Sequence, residues 1–266
     1  MKHPLDGPVA ALLHKTAAEI VLPRFRALAA YEIEEKSPGE IVTIADTESE
    51  KRLSEGLAEL LPDALIVGEE AAEDDPALMD SVGDGEVWLI DPIDGTTNFS
   101  EGKTPFALMI ALLGDGEPLA SWMFDPVTGR LCHAYRGEGA YVGDEAVITR
   151  PTGAAPPIAA FGMHFMTDEK RRMIEERAAG KLDAVPIPRC AGEQYPRLAL
   201  GVNDISLFER TLPWDHAPGA LFLDEAGGKT ARPDGEPYRP ADRRPGLLSA
   251  ATPRLWDYAA EILFGQ

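Results

Sequence analysis

Apolar residues recur along this chain with two spacings, one typical of helices and one typical of buried strands. From Val9 to Ala30 they recur every three or four positions, which predicts an amphipathic helix that Pro23 kinks or divides. The continuous run from Val87 to Ile90 predicts a buried strand. Pro105 to Leu113 and Leu119 to Phe124 predict two further strands joined by a hairpin turn.

Shorter patterns of the same two kinds fill the rest of the chain. Strands are predicted at Val42 to Ala45, Leu65 to Val67, Leu131 to Tyr135, Ile158 to Phe161, Ala184 to Ile187 and Leu247 to Ser249. Helices are predicted from Asp46 to before Pro62, and across Asp168 to Ala179, Gln194 to Leu200, Pro213 to Glu225 and Pro253 to Phe264. Alternating elements with hairpins in the first half predict an α/β (α+β) fold, in which mixed sheets are layered with helices.

A shift in composition marks the expected joint between two halves. Between Thr149 and Pro157 the chain is rich in Pro, Gly and Ala. A length of 266 residues allows one large α/β domain or two small ones. We expect a single domain over residues 1–266, with sub-lobes at about 1–150 and 151–266.

Charge and composition narrow the class of protein. With 44% apolar and 26% charged residues the chain is an ordinary soluble globular protein, and its net charge of −20 argues against a nucleic-acid partner. The longest apolar run, Phe106 to Leu113, is too short to cross a membrane, and no unbroken signal core follows Met1. Cys132 and Cys190 lie far apart and are expected to be reduced buried thiols. These features predict a cytoplasmic protein.

The stretch from Trp88 to Phe99 carries the candidate chemistry. Asp91 and Asp94 follow the apolar strand, and Gly95 and Thr96 suit the start of a helix. Paired carboxylates repel each other unless a cation lies between them, while a helix N-terminus accepts phosphate. Metal-assisted phosphate chemistry is one interpretation. The alternative is a turn in which Asp94 only caps a helix.

This stretch resembles the inositol monophosphatase family, and further elements appear in the family's order. They are Lys36…Val42-Thr43-Ile44-Ala45-Asp46…Glu50, then Gly68-Glu69-Glu70, and later Trp214-Asp215-His216-Ala217. The resemblance covers the chain from about Lys36 to Gly228. It implies a layered α-β-α-β-α sandwich and Mg²⁺-dependent hydrolysis of a small phosphomonoester.

The resemblance also implies the metal ligands. Asp91 would bridge two cations, Glu69 and the backbone oxygen of Ile93 would complete one position, and Asp94 and Asp215 would hold another. Oxygen ligands without cysteine or paired histidine favour a hard ion, and Mg²⁺ is expected, with two or three ions per site. Taken alone, Asp215 would be interpreted as a helix N-cap; its place in the family's Trp214-Asp215 element favours the metal role instead.

Catalytic roles follow from the same resemblance. Thr96 and Asp46 would orient the attacking water with Glu69 beside them, and the N–H groups of Gly95 and Thr96 would hold the phosphate. Asp46 is also expected to be the N-cap of its helix. His216 is expected to be structural.

The substrate-facing residues are less clearly marked. The family's Gly-Ser-Ala-Ala segment reads Gly192-Glu193-Gln194-Tyr195 here, so Glu193 replaces the serine and is expected to contact substrate. Glu209 is expected to bind the leaving group; the alternative is a rim glutamate paired with Arg210 or left in solvent. Lys36, on a predicted turn through Gly39, and Glu70 are open candidates beside the metal site.

The function expected is a Mg²⁺-dependent phosphatase for inositol monophosphate or a related polyol or sugar phosphate, so the partner is a small phosphorylated metabolite. Histidinol phosphate is the main alternative substrate, followed by phosphoadenosine phosphate and fructose 1,6-bisphosphate. A non-catalytic binding protein on the same fold is the alternative outside enzymes. A homodimer is expected, with Trp122 and Met123 as candidate contacts.

Overall fold

The computed structural model describes residues 3–37 and 40–265, and all bounds below refer to them. The helices are α1 (Asp6–Thr16), α2 (Leu22–Arg24), α3 (Ile44–Leu60), α4 (Glu69–Asp74), α5 (Thr96–Ser100), α6 (Asp168–Ala178), α7 (Ala191–Ala199), α8 (Pro213–Glu225) and α9 (Pro253–Phe264). A π-helical turn, Ala17–Val21, joins α1 to α2, and 3₁₀ turns lie at Ala30–Glu32 and Pro76–Gly83.

The strands are β1 (Ile33–Ser37), β2 (Glu40–Thr43), β3 (Leu65–Gly68), β4 (Glu86–Asp94), β5 (Ala107–Gly114), β6 (Glu117–Asp125), β7 (Arg130–Tyr135), β8 (Gly139–Val142), β9 (Glu145–Val147), β10 (Ile158–Phe161), β11 (Asp183–Pro186), β12 (Ile205–Phe208), β13 (Lys229–Ala231) and β14 (Leu247–Ala250). Within the described ranges they form a seven-stranded sheet in the order β3 to β9, a five-stranded sheet in the order β11-β10-β12-β14-β13, and the β1–β2 hairpin.

Among the described strands of the two large sheets, only three pairs of neighbours are parallel, and their carboxyl ends lie in the same region of the molecule. β3 pairs parallel with β4, and β10 pairs parallel with both β11 and β12. The other pairs in the two large sheets are antiparallel. Parallel neighbours bring their carboxyl ends to the same edge, which is where ligands bind in open α/β sheets.

The helices cover both large sheets, which confirms the expected layered α-β-α-β-α sandwich. α1 and α3 pack on one face of the seven-stranded sheet, and α7 and α8 pack on its other face. α8 also contacts β13 and α7 contacts β12, so both lie between the two sheets. α6 and α9 cover the outer face of the five-stranded sheet.

Strand β4 is central because both of its faces are buried. Trp88 and Ile90 point into the core under α1 and α3, while Val87 and Leu89 point into the core under α8. Period-two alternation between two apolar cores explains why this strand reads as a continuous apolar run. The same alternation places Asp91 on the face toward α8.

Two predictions about helix ends are wrong. The first helix begins at Asp6 and its last turn ends at Arg24, not near Ala30, because the backbone becomes extended at Phe25, two residues after Pro23. The N-cap of α3 is Thr43 rather than Asp46. Asp46 instead accepts the backbone N–H of Thr43 at 2.8 Å, the reciprocal half of a capping box.

Other expectations meet mixed outcomes. Trp122 and Met123 are buried inside the chain, so they do not form the exposed dimer surface suggested for them.

Strands β1, β9, β12 and β13 were not predicted, since each has five residues or fewer and little alternation. Of the turn predicted near Lys36, Pro38 and Gly39 lie outside the described residues. In the described ranges, no helix combines the length and apolarity needed to span a membrane.

A buried polar cluster joins α1 to the seven-stranded sheet. The Tyr135 hydroxyl donates to Asp6 Oδ1 at 2.6 Å, and His133 Nδ1 lies 3.2 Å from the same oxygen. His133 Nε2 lies 2.8 Å from the carbonyl oxygen of Gly143. All three side chains of the cluster are buried.

We predict that Tyr135→Phe lowers the free energy of unfolding by about 1.5–3 kcal/mol, since a hydrogen bond to a buried carboxylate is lost. Urea denaturation measures the change. The control is Tyr141→Phe, whose exposed hydroxyl donates to the carbonyl of Glu138 at 3.0 Å and whose loss should cost less than about 0.5 kcal/mol. Equal losses in the two variants would contradict a stabilising role for the Asp6 contact.

Candidate active site

A cleft of about 540 Å³ opens where the carboxyl ends of the parallel strands meet. One wall carries residues that follow β3 and β4, together with the start of α8. The opposite wall carries residues that follow β10, β11 and β12. The cleft is therefore built at the edges of both large sheets, with α7 and α8 between them.

Four acids predicted to hold metal line this cleft: Glu69, Asp91, Asp94 and Asp215. Glu69 is the first residue after β3, and Asp91 and Asp94 lie in the last four residues of β4. Because β3 and β4 are parallel neighbours, these residues meet at one edge. Asp215 reaches the same cleft from the first turn of α8.

Burial and mutual repulsion dominate the electrostatics of these acids. Burial raises the pKa of Asp91 well above its usual value, and the charges of Glu69, Asp94 and Asp215 raise it further. Burial followed by the charge of Asp215 does the same to the pKa of Glu69. Together the acids form a strongly negative patch.

The patch has the features that a hard cation requires. Oδ1 of Asp91 is buried and has no hydrogen-bond donor from the protein. All the candidate ligands are oxygen atoms, including the carbonyl of Ile93, a residue that also lines the cleft. Among the described residues, no three acid, histidine or cysteine side chains stand in a ready-made metal cage. The residues therefore fit Mg²⁺ by donor chemistry.

Asp94 is held by the helix on the far side of the cleft. Its Oδ2 accepts the N–H of Gly192 in α7 at 2.6 Å. A Cβ at residue 192 would lie 2.8 Å from the Cβ of Ala107, so glycine is required for this close approach. Burial raises the pKa of Asp94, while the Cys190 thiol and the N–H of Gly192 oppose that rise.

Thr96 connects Asp46 to the end of β4, where the four acids gather. Its hydroxyl lies 3.1 Å from Oδ1 of Asp46, the contact that the family resemblance implies, and 2.9 Å from the carbonyl oxygen of Ile93. Because a hydroxyl carries one hydrogen, it donates to only one of these acceptors at a time. Burial raises the pKa of Asp46 to about 7.

Gly95 allows the chain to turn sharply from β4 into α5. Its φ of 88° lies in the left-handed region that favours glycine. A Cβ there would lie 3.3 Å from the carbonyl oxygen of Arg189 and 3.3 Å from the Cβ of Cys190. The turn that presents Gly95 and Thr96 to the cleft is thus packed against the second half of the chain.

Lys36 and Glu70, left open from the sequence, form one ion pair at the rim. Lys36 lines the cleft and bonds to Glu70 and Glu73 of α4. Burial alone would lower the pKa of Lys36, but these two carboxylates outweigh it and raise the pKa. Glu50 supports α4 by accepting the N–H groups of Glu70 at 2.8 Å and Ala71 at 2.9 Å.

Contrary to expectation, Glu193 does not face the cleft. It lies in α7 and forms ion pairs with Arg130 and with Arg197, the latter at 2.7 Å. The residues that reach the cleft are Arg189, Cys190 and Ala191. Arg189 has a φ of 58°, a value that favours glycine.

Glu209 lines the cleft as predicted. It forms an ion pair with Lys170 of α6 at 2.6 Å. The neighbouring Arg210 lies over the ring of Phe165, 4.1 Å from its centroid, and both line the cleft. The sequence patterns did not point to Phe165 or Arg210, because they belong to loops that lack a recognisable motif.

His216 has a structural role, since both of its ring nitrogens have partners. Nε2 lies 3.0 Å from the carbonyl oxygen of Arg210, and Nδ1 lies 3.1 Å from the hydroxyl of Tyr195. A carbonyl only accepts, so Nε2 carries the proton and Nδ1 accepts from tyrosine. Burial lowers the pKa of His216 to about 3.

Comparisons with known proteins agree with this geometry. The family model described as "Inositol monophosphatase family" matches residues 7–263. An inositol-1-monophosphatase of Bacillus subtilis is 34% identical over 77% of this chain and 78% of its own length. One from Mycobacterium leprae is 33% identical over 83% and 77%. The crystal structure of the extragenic suppressor protein SuhB from Bartonella henselae has a TM-score of 0.82 at 22% identity, covering 98% of this chain and 99% of that one.

We predict that the metal-free protein loses stability between pH 5 and pH 8. A carboxyl whose pKa is raised on folding binds more protons in the folded state, so its contribution is lost as the pH rises through the folded pKa, about 7 for Asp46. Differential scanning calorimetry without metal should show a lower Tm at pH 8. Mg²⁺ should restore at least about 2 °C, because it binds only the folded state.

The control separates the cleft from a remote acid. Asp224 is not part of the cleft wall, is exposed to solvent and accepts the N–H of Thr230 at 2.8 Å. The Mg²⁺ gain should persist in Asp224→Asn and disappear in Asp91→Asn. A Mg²⁺ gain that survives in Asp91→Asn would place the ion elsewhere.

Proposed function

The chain belongs to the inositol monophosphatase family, and on that premise we propose that its acidic cleft hydrolyses a small phosphorylated polyol or sugar with bound Mg²⁺. The family makes the chain a phosphoric monoester hydrolase, and Mg²⁺ dependence is the family's norm. The substrate class, the two or three ions and the roles of individual residues belong to the proposal. Inositol 1-phosphate, the substrate in the names of several relatives, is the reference compound.

One observation carries the proposal. Asp91 is buried among three other acids that raise its pKa, and one of its oxygens has no donor from the protein. A buried carboxylate in this state is costly unless a cation meets it. A phosphate monoester is dianionic near neutral pH. A cation that lies between the acids and the substrate would therefore offset the negative charge of both.

Five residues would hold the ions. Asp91 would bridge two positions, with Glu69 and the carbonyl oxygen of Ile93 on one side and Asp94 and Asp215 on the other. Bound Mg²⁺ supplies Lewis-acid charge to the phosphate and lowers the pKa of a coordinated water.

Thr96 and Asp46 would orient the water that attacks phosphorus. When the Thr96 hydroxyl donates to Asp46 Oδ1, its own lone pairs remain to accept a hydrogen bond from a water in the cleft. Thr43 donates to Asp46 Oδ2 at 2.6 Å and keeps that carboxyl in place. A pKa of about 7 suits Asp46 to holding a proton passed along this chain near neutral pH.

The N–H groups of Gly95 and Thr96 would contact the phosphate oxygens. Because α5 has only five residues, its dipole adds little and most of the phosphate charge is met by the ions. The first half of the chain would therefore bind metal and phosphate, and residues 151–266 would contact the leaving group.

The setting and assembly remain proposals as well. We propose a cytoplasmic location, which the two free buried cysteines support. A homodimer is proposed from the family resemblance alone, and the mass measured by light scattering at assay concentration decides it. We keep a single domain with two sub-lobes, because α7 and α8 from the second half pack on the sheet of the first.

We predict that Asp91→Asn lowers phosphate release from inositol 1-phosphate by at least about 100-fold, since the bridging charge is lost. Chelation should abolish the wild-type activity, and Mg²⁺ should restore it. Asp224→Asn, which removes an acid outside the cleft, should keep its activity. Phosphate release that survives chelation in the wild type would refute the metal-assisted mechanism.

We predict that Thr96→Ala lowers kcat on the order of 100-fold and changes KM by less than about twofold. This is the pattern of a group that acts mainly in the transition state. The control is Ser100→Ala in the same helix, whose hydroxyl donates to the carbonyl of Thr97 at 3.0 Å. A rise in KM at constant kcat would show that Thr96 binds substrate instead.

A further inference from the structure

The wall opposite the metal acids is built from three loops at one sheet edge. β11, β10 and β12 are parallel neighbours, and residues after each of them line the cleft. His164 and Phe165 follow β10, Arg189 follows β11, and Glu209 and Arg210 follow β12. If the phosphate lies at the metal acids, the leaving group lies against this wall.

The one carboxylate among these five residues is neutralised. Lys170 bonds to Glu209 at 2.6 Å, and their side chains are 27% and 14% exposed, so little water screens the pair. Lys170 is not part of the cleft wall and stands behind Glu209. Glu209 therefore brings no net negative charge to a leaving group.

Arg210 brings positive charge to the wall and is held in place. Its guanidinium lies over the Phe165 ring, 4.1 Å from the centroid. Its carbonyl accepts from His216 Nε2 at 3.0 Å.

Arg189 adds a second guanidinium from a strained position. Its φ of 58° lies in the left-handed region that favours glycine, so a residue with a side chain is strained there. The side chain is exposed, and it also acts electrostatically on the exposed Glu101. A strained arginine in a cleft wall calls for a functional reason.

We propose that this cleft prefers phosphomonoesters whose leaving group carries an anionic group, a carboxylate or a second phosphate, and that Arg189, Arg210 and the Lys170–Glu209 pair set this preference. The inference rests on the proposed function and narrows its substrate class. Arg189 and Arg210 would contact the leaving group. Lys170 acts through Glu209 and is a positioning residue. The same wall disfavours a leaving group with an amine.

Matched substrates isolate the charge. With Mg²⁺, kcat/KM is measured for 3-phosphoglycerate and glycerol 3-phosphate, which differ by a carboxylate in place of a hydroxymethyl group. Fructose 1,6-bisphosphate and fructose 1-phosphate test a second phosphate in the same way, and phosphoethanolamine supplies an amine. We expect the anionic member of at least one pair to be preferred by about tenfold to 100-fold, as a charge-assisted hydrogen bond allows. The pair that shows the preference identifies the group.

Three variants test the residues. Arg210→Gln and Arg189→Asn should each lower the anionic-to-neutral ratio by about fivefold or more, and asparagine tolerates the backbone at 189. Lys170→Gln should lower that ratio and raise kcat/KM for phosphoethanolamine relative to glycerol 3-phosphate, because Glu209 becomes an unbalanced charge. Arg172→Gln removes an exposed charge from the same helix and should leave both ratios unchanged.

The outcomes separate this inference from the function beneath it. Equal kcat/KM for the anionic and neutral members of both pairs would overturn the inference alone. So would ratios that none of the three variants changes. Release of phosphate from none of the substrates, inositol 1-phosphate included, would overturn the proposed function and the inference together.

Discussion

Repulsion among four carboxylates at the end of β4 is the constraint on which the rest of this structure depends. Glu69, Asp91, Asp94 and Asp215 raise the pKa values of their neighbours within one cleft. Like charges stay together only if the elements that carry them are firmly anchored. β4 has apolar side chains in two cores, and α8 is buried along most of its length between two sheets. Core packing on both faces of β4 thus offsets the repulsion at its end.

The acids in and around the cleft differ in whether the protein supplies hydrogen-bond donors to their carboxylate oxygens. Asp46 accepts from Thr43 and Thr96, Glu50 accepts two backbone N–H groups, and Asp94 accepts from Gly192. Asp91, at the centre, keeps an oxygen with no donor. The fold therefore fixes the outer carboxylates with its own hydrogen bonds. It leaves the central one without a donor, which supports the proposed metal site at Asp91.

That the four acids gather in one place could be predicted from the sequence, because their signals are local. A strand, two aspartates, a glycine and a threonine lie within one short stretch, and Glu69 and Asp215 open helices after equally short motifs. The opposite wall could not be predicted so well. Its residues lie in three separate loops, and only the pairing of β10, β11 and β12 brings them together. The error at Glu193 has the same origin, since helical phase within α7, rather than a motif, decides that it faces Arg130 and Arg197.

The two walls also differ in how freely their residues can change. Around the four acids, the two halves of the chain approach closely: a Cβ at Gly192 would collide with Ala107, and a Cβ at Gly95 would press against Arg189 and Cys190. On the other wall, Arg210 and Glu209 are held by side-chain contacts with Phe165 and Lys170. Substitution there alters the charge that a leaving group meets without moving β4 or α8. Arg189 is the clearest case: its backbone is strained, and its guanidinium lies in the wall. Differences in specificity on this fold are therefore expected to concentrate in the loops after β10, β11 and β12, while the acids at the end of β4 stay the same.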